Sequence, residues 1–276
     1  MMHKGFSLHQ LSAGYRGRTV LHHIDLSPVP PGSLVALVGP NAVGKSTLIK
    51  AVAGLCATQG QVWLDDTDLS TLPAAVRLRH IGYLPQALPQ PSSLLAYESW
   101  QSTLHSSRSA WTAAQRETAI EDTVARMGLQ ALALRRMDEL SGGQRQMVGL
   151  AQVIIRAPQL LLLDEPTSAL DLRWQLLALQ TLRDTVAHQG TTCIVAVHDL
   201  NLALRLCDHL LVLGAGGLRA SGRPKDILSP ALLREVYGID TRIETCSLGK
   251  PLVIADAVAQ MAHIPHTHHH SRIHSP

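Results

Sequence analysis

Two rhythms of apolar residues alternate along this chain. Short blocks run apolar almost without interruption: "SLVALVG" (33–39), "QLLLLDEP" (159–166) and "TTCIVAVHD" (191–199). Such blocks fit strands buried on both faces. "QVWLDDTDL" (61–69) and "HIGYLPQ" (80–86) read as further short strands. Between the blocks the spacing turns helical. "KSTLIKAVAGL" places Leu48, Val52 and Leu55 on one face, with Gly54 near its end. "QRQMVGLAQVIIRA" should stop at Pro158, whose ring cannot continue a helix. "LRWQLLALQTLRDTVAHQG" is amphipathic and ends on Gly190. "LNLALRLCD" reads as a helix, "HLLVLGAGGLRASG" as a hairpin, and "SPALLREVYGI" as a short helix with a serine cap. Strands that alternate with helices imply a parallel sheet covered on both faces.

From about Ala87 to Arg136 the character changes. Prolines and serines come first, and then "AWTAAQRETAIEDTVARMGL", which has helical spacing. The stretch predicts a mostly helical insertion reaching to about residue 157.

Composition narrows the class. The chain has 276 residues, 46% hydrophobic and 16% charged, which suits a globular fold. Its net charge of +3 is too mild to argue for nucleic acid. No apolar run reaches the ~18–20 residues of a membrane span. The N-terminus lacks the apolar stretch of a secretory leader. Cys56, Cys193, Cys207 and Cys246 form no C-x-x-C pair and read as small buried hydrophobes.

The chemistry starts at "GPNAVGKST", which matches G-x-x-x-x-G-K-[ST] between a strand and a helix. Gly39, Pro40, Asn41, Ala42, Val43, Gly44, Lys45, Ser46 and Thr47 form the candidate phosphate loop. Its N–H groups can turn inward around phosphates at a helix N-terminus. Lys45 can reach the β- and γ-phosphates, and the Ser46 hydroxyl can ligate Mg²⁺. Asp164 ends an apolar strand, where ligands of parallel sheets bind, so it is a second candidate for Mg²⁺. Glu165 follows as the candidate general base toward an attacking water.

With these motifs in order, the chain resembles the ATP-binding subunit of ABC transporters from Phe6 to about Ile239. The resemblance implies a P-loop NTPase core with a parallel sheet, an antiparallel β subdomain and a helical insertion, the α/β cassette of that family. It places the ATPase domain over 1–250 and the helical subdomain at about 87–157. It implies that Tyr15 of "AGY" stacks on adenine. Gln86 of "YLPQ" becomes the Q-loop glutamine, a catalytic and Mg²⁺-side residue, and His198 the switch histidine. Ser141, Gly142, Gly143 and Gln144 of "LSGGQ" form the family signature, and Asp171 of "SALD" belongs to the D-loop. The signature would serve the nucleotide of a second copy, so the resemblance implies a head-to-tail homodimer with ATP and Mg²⁺ at each interface. Ala42 and Val43 depart from the glycine-serine common at those positions, while Gly39 and Gly44 are kept.

The lack of a fused membrane domain makes the chain similar to importer subunits. "RLRHIGYLPQ" and "GRPKDILSPALLREVYGI" resemble the ATPases for iron-siderophore, haem and vitamin B12 uptake, with zinc and manganese relatives close by. The implied partners are an integral membrane permease and, indirectly, a periplasmic or surface substrate-binding protein, with no nucleic acid. The implied location is the cytoplasmic side of the plasma membrane. A soluble iron–sulfur assembly ATPase is the competing reading, although its signature usually runs to "SGGE". From 251 onward a disordered tail is expected. Its His263, His266, His268, His269, His270 and His274 read either as a plain polar tail or as a metal-sensing one.

Overall fold

The computed structural model describes residues 4–259 apart from positions 16, 89, 91 and 109. Among them, a central sheet runs in the order β10–β9–β3–β8–β7–β6. Its strands are β3 (Leu34–Val38), β6 (Ile81–Leu84), β7 (Leu160–Asp164), β8 (Thr192–Ala196), β9 (His209–Gly214) and β10 (Gly217–Gly222). All pair in parallel except β10, which returns against β9 as the hairpin read from the sequence.

The uninterrupted apolar blocks follow from this sheet. Side chains of a strand alternate between its faces, and here both faces are dry. Leu34, Ala36, Val38, Leu161, Leu163, Cys193 and Val195 enter one core, shared with the helices. Val35, Leu37, Leu160, Leu162, Ile194 and Ala196 enter the other, shared with a second sheet. That sheet is antiparallel, in the order β2–β1–β4–β5, from β1 (Phe6–Tyr15), β2 (Arg18–Val29), β4 (Ala57–Leu64) and β5 (Thr67–Asp68). Helix α1 (Lys45–Ala53) lies in this second core and ends on left-handed Gly54.

Helix α2 (Ala74–His80) packs beside α1, with Leu78 against the second core, while the helical side holds α3 (Ala96–Ser107), α4 (Ala113–Arg126), α5 (Gly142–Ile154), α6 (Leu172–Gln189) and α7 (Leu200–Leu206). Trp100 on α3 is fully buried, and its indole N–H donates to Val148 O on α5 at 3.1 Å. That contact fixes the insertion to the helix that follows the "LSGG" turn. Then come α8 (Pro224–Ile227) and α9 (Pro230–Tyr237), the latter capped by Ser229 as expected. The antiparallel pair β11 (Ile239–Thr245) and β12 (Pro251–Val258) completes the described chain.

Three expectations are corrected. Residues 61–69 are not one strand: β4 starts earlier, and the chain turns at Asp65 before the short β5. Helix α3 went unread behind its prolines and serines. Residues 251–258, assigned to a disordered tail, form β12, because their backbone is paired with β11 from Pro251 to Val258. The six histidines of the tail lie outside the described residues.

Candidate functional site

The loop between β3 and α1 bends around a cavity of about 350 Å³, lined by Asn41, Ala42, Gly44, Lys45, Ser46, Thr47, Gln86, Glu165 and His198. Gly39 and Gly44 have φ of 152° and 112°. A Cβ on Gly39 would lie 2.5 Å from Leu213 O, and one on Gly44 would lie 2.7 Å from Leu21 Cδ2. Glycine is therefore required at both turns. Ala42 tolerates a φ of 61°, so the loop forms despite its departure from glycine-serine.

Lys45 is buried, and its ammonium donates to Gly39 O at 2.7 Å and Pro40 O at 3.0 Å. Burial pushes its pKa below the usual lysine value, while Glu165 and Asp164 pull it back up. Ser46 Oγ donates to Asp164 Oδ1 at 2.9 Å, joining α1 to the end of β7. Burial raises the pKa of Asp164, the Ser46 bond lowers it, and the charge of Glu165 raises it further.

Glu165 is 7% exposed and sits at a φ of 53°, a backbone conformation that costs a side-chain-bearing residue about 1 kcal/mol or more. Both its oxygens are held. Gln86 Nε2 donates to Oε2 at 2.7 Å, and His198 Nε2 lies 2.7 Å from Oε1. Strand ends β6, β7 and β8 thus bring Gln86, Glu165 and His198 together at the mouth of the phosphate loop.

Ser46 Oγ and the Asp164 carboxylate form a compact hard-oxygen pair beside that loop, which suits Mg²⁺. Gln86, also a candidate for the metal, donates its amide N–H to Glu165, which leaves its Oε1 as the atom that could ligate Mg²⁺.

The remaining candidates lie apart from this cavity. Tyr15 is 42% exposed, with Lys50 Nζ 6.0 Å from its ring centre, and it lines a neighbouring hollow with Gly14, Arg18 and Thr58. Ser141 caps α5. Its hydroxyl accepts from Gln144 N at 3.2 Å, and Gln144 Oε1 accepts from Ser141 N at 3.0 Å. Gly142 is exposed, and a Cβ on Gly143 would approach Ala169 O to 3.2 Å. The signature turn therefore packs on the segment that ends at Asp171, which caps α6 by accepting from Trp174 N at 2.9 Å. None of Ser141, Gly142, Gly143, Gln144 and Asp171 lines the phosphate-loop cavity of its own chain.

Two tyrosines beside the site carried no sequence signal. Burial pushes Tyr83, near Asp164 and Tyr15, up to about 12. Burial does the same to Tyr237, while the neighbouring backbone N–H of Gly39 works the other way.

Comparison with known proteins gives the family. A family model described as "ABC transporter" matches residues 7–168. The achromobactin transport ATP-binding protein of Dickeya dadantii is 34% identical, over 85% of this chain and 88% of the relative. The hemin import ATP-binding protein of Pseudomonas entomophila is 41% identical, over 81% and 89%. A solved dimeric, post-hydrolysis ATP-binding cassette with ADP and Pi superposes with a TM-score of 0.69 at 25% identity, covering 79% of this chain and 98% of that one.

Proposed function

The chain belongs to the ABC transporter family, as one of its ATPase cassettes, and on that premise we propose that it powers a bacterial importer of iron–siderophore complexes. It works as a head-to-tail homodimer beneath a membrane permease, on the cytoplasmic side of the plasma membrane. The observation that carries the reading is the Glu165 carboxylate held between Gln86 and His198 at the phosphate loop.

Each residue has a part in ATP hydrolysis. The N–H groups of 41–47 cradle the phosphates, and Lys45 swings from its loop carbonyls onto the β- and γ-phosphates. Ser46 and Asp164 would hold Mg²⁺, which would neutralise phosphate charge when bound. Glu165 takes the proton of the attacking water, oriented by Gln86 and His198. Tyr15 stacks on the adenine. Ser141, Gly142, Gly143 and Gln144 of the second copy close over the γ-phosphate, next to Asp171 of the D-loop. Loss of that phosphate reopens the dimer. The helical insertion at about 87–157, with Gln86, receives the permease. A periplasmic or surface binding protein delivers the cargo.

Haem is the second reading, favoured because the hemin import relative is 41% identical against 34% for the achromobactin one. The deciding experiment is purification of the tagged chain from membranes with its permease. Reconstituted ATPase should rise with a ferric-siderophore-loaded binding protein. Stimulation by a haem-loaded protein alone moves the cargo to haem. Recovery of only soluble assembly proteins overturns transport.

A further inference from the structure

The β11–β12 hairpin follows the last helix of the cassette and contributes nothing to the cavity lining. Its attachments nevertheless lead to the two loops that frame the cavity. On one side, Tyr237 ends α9 with its hydroxyl beside the backbone N–H of Gly39, the first residue of the phosphate loop. Gly238, left-handed at φ 67°, then turns the chain straight into β11. Its carbonyl accepts from Ala259 N at 2.8 Å, so the far end of the hairpin closes onto the same turn.

On the other side, the Asn201 side chain grips β12 twice. Its Nδ2 donates to Val253 O at 3.0 Å, and its Oδ1 accepts from Val253 N at 2.8 Å. Asn201 sits in the first turn of α7, three residues after His198. That helix is capped by Asp199, which accepts from Leu202 N at 3.0 Å. A shift of β12 would therefore displace the backbone next to His198, whose ring must stay within reach of Glu165 Oε1.

We propose that the C-terminal hairpin is a brace across the catalytic site, in which Tyr237 positions the phosphate loop for ATP binding and Asn201 positions the His198 loop for hydrolysis. The two arms act on different steps. A neutral hydrogen bond is worth about 0.5–1.5 kcal/mol net, which in binding or rate is a change of roughly three- to tenfold. Tyr237→Phe keeps the ring and its packing but removes the hydroxyl that lies beside the Gly39 N–H. It should raise the KM for ATP roughly three- to tenfold with kcat within about twofold. Asn201→Ala frees β12 from α7. It should lower kcat roughly three- to tenfold with KM kept.

The inference rests on residues 39–47 being the ATP site, and the test separates the two. Steady-state ATPase kinetics and fluorescent-nucleotide binding are measured on the full chain for wild type, Tyr237→Phe, Asn201→Ala and Lys45→Ala, with thermal melting alongside. Opposite KM and kcat shifts in the first two variants support the brace. Wild-type kinetics in either one, including an earlier melt with unchanged KM and kcat, overturn it. Nucleotide binding that survives Lys45→Ala overturns the site assignment instead.

Discussion

Glu165→Gln tests the chemistry without disturbing the architecture. Both carboxylate oxygens are occupied, one by the Gln86 amide and one by His198 Nε2. A glutamine is isosteric, and its carbonyl oxygen can accept the Gln86 bond. Its NH₂ then faces His198 Nε2, which accepts it once the imidazole carries its proton on Nδ1. Both contacts survive with neutral partners, so stability should change by less than about 1 kcal/mol. The left-handed backbone at 165 is retained, because glutamine bears the same cost there as glutamate. What disappears is the basic oxygen. General-base catalysis contributes about 10²–10⁴-fold, so phosphate release should fall at least about a hundredfold. ATP that binds without being cleaved should hold two copies together. Phosphate-release kinetics give the rate, and light scattering after size exclusion, with and without ATP and Mg²⁺, gives the mass. Turnover within about tenfold of wild type would refute the general-base role, and monomers at saturating ATP would refute the shared-nucleotide dimer. Glu165→Ala is the contrast: it leaves Gln86 and His198 without their partner, so it should lose stability as well as rate.

Trp100→Ala removes a fully buried indole and its bond to Val148 O, a loss of about 3–5 kcal/mol. Thermal melting should fall by about 10 °C, and a drop below about 3 °C would show that α3 is not anchored this way. Asp164→Asn keeps an oxygen for Ser46 while removing a buried charge whose pKa is raised above the usual carboxylate value. Ionisation of Asp164 disfavours the fold as pH rises through that raised range, so the variant should be the more stable at neutral pH and lose its advantage in acid, with Mg²⁺-dependent ATPase abolished; equal stability at neutral pH would contradict this. Burial, with Arg223 beside it, depresses the His209 pKa below 6.5, although Asp208 and Asp226 oppose the shift. The stability tied to neutral His209 is full above about pH 6.5 and is lost as pH falls through the depressed value. Denaturant titrations of His209→Gln should accordingly show a shallower acid limb, and an unchanged slope would refute the assignment.

The central sheet was legible because burial on both faces removes the polar residues that blur a strand. Leu160 to Leu163 admit no other placement of comparable economy. Strands β1 and β2 were not read from the pattern. Register shifts break their alternation between Leu8 and Leu11, and between Leu11 and Ala13. Helix α3 hid for a different reason. Its buried positions, Ala96, Ser99, Trp100 and Leu104, have helical spacing but include a serine and an alanine among only two large apolar residues. The phosphate loop was legible from local spacing, since all its groups come from nine consecutive residues. The Gln86–Glu165–His198 cluster was not. Its members follow three different strands, with Gln86 and Glu165 79 positions apart, and while the strand-end acids singled out Glu165, only the family resemblance pointed to Gln86 and His198. Nothing local in "REVYGI" signals that Tyr237 ends beside Gly39, because that depends on where α9 lands.

The cap on α5 has a consequence for the proposed dimer. Ser141 holds its helix with a lone pair, accepting from Gln144 N, and the hydroxyl proton takes no part in that bond. An incoming γ-phosphate needs a donor, and the proton is the half of the hydroxyl that the cap leaves over. The signature turn can therefore grip a neighbour's nucleotide while its own helix stays capped. Closure needs no local unwinding, and release needs no refolding, so the same hydroxyl can serve cycle after cycle.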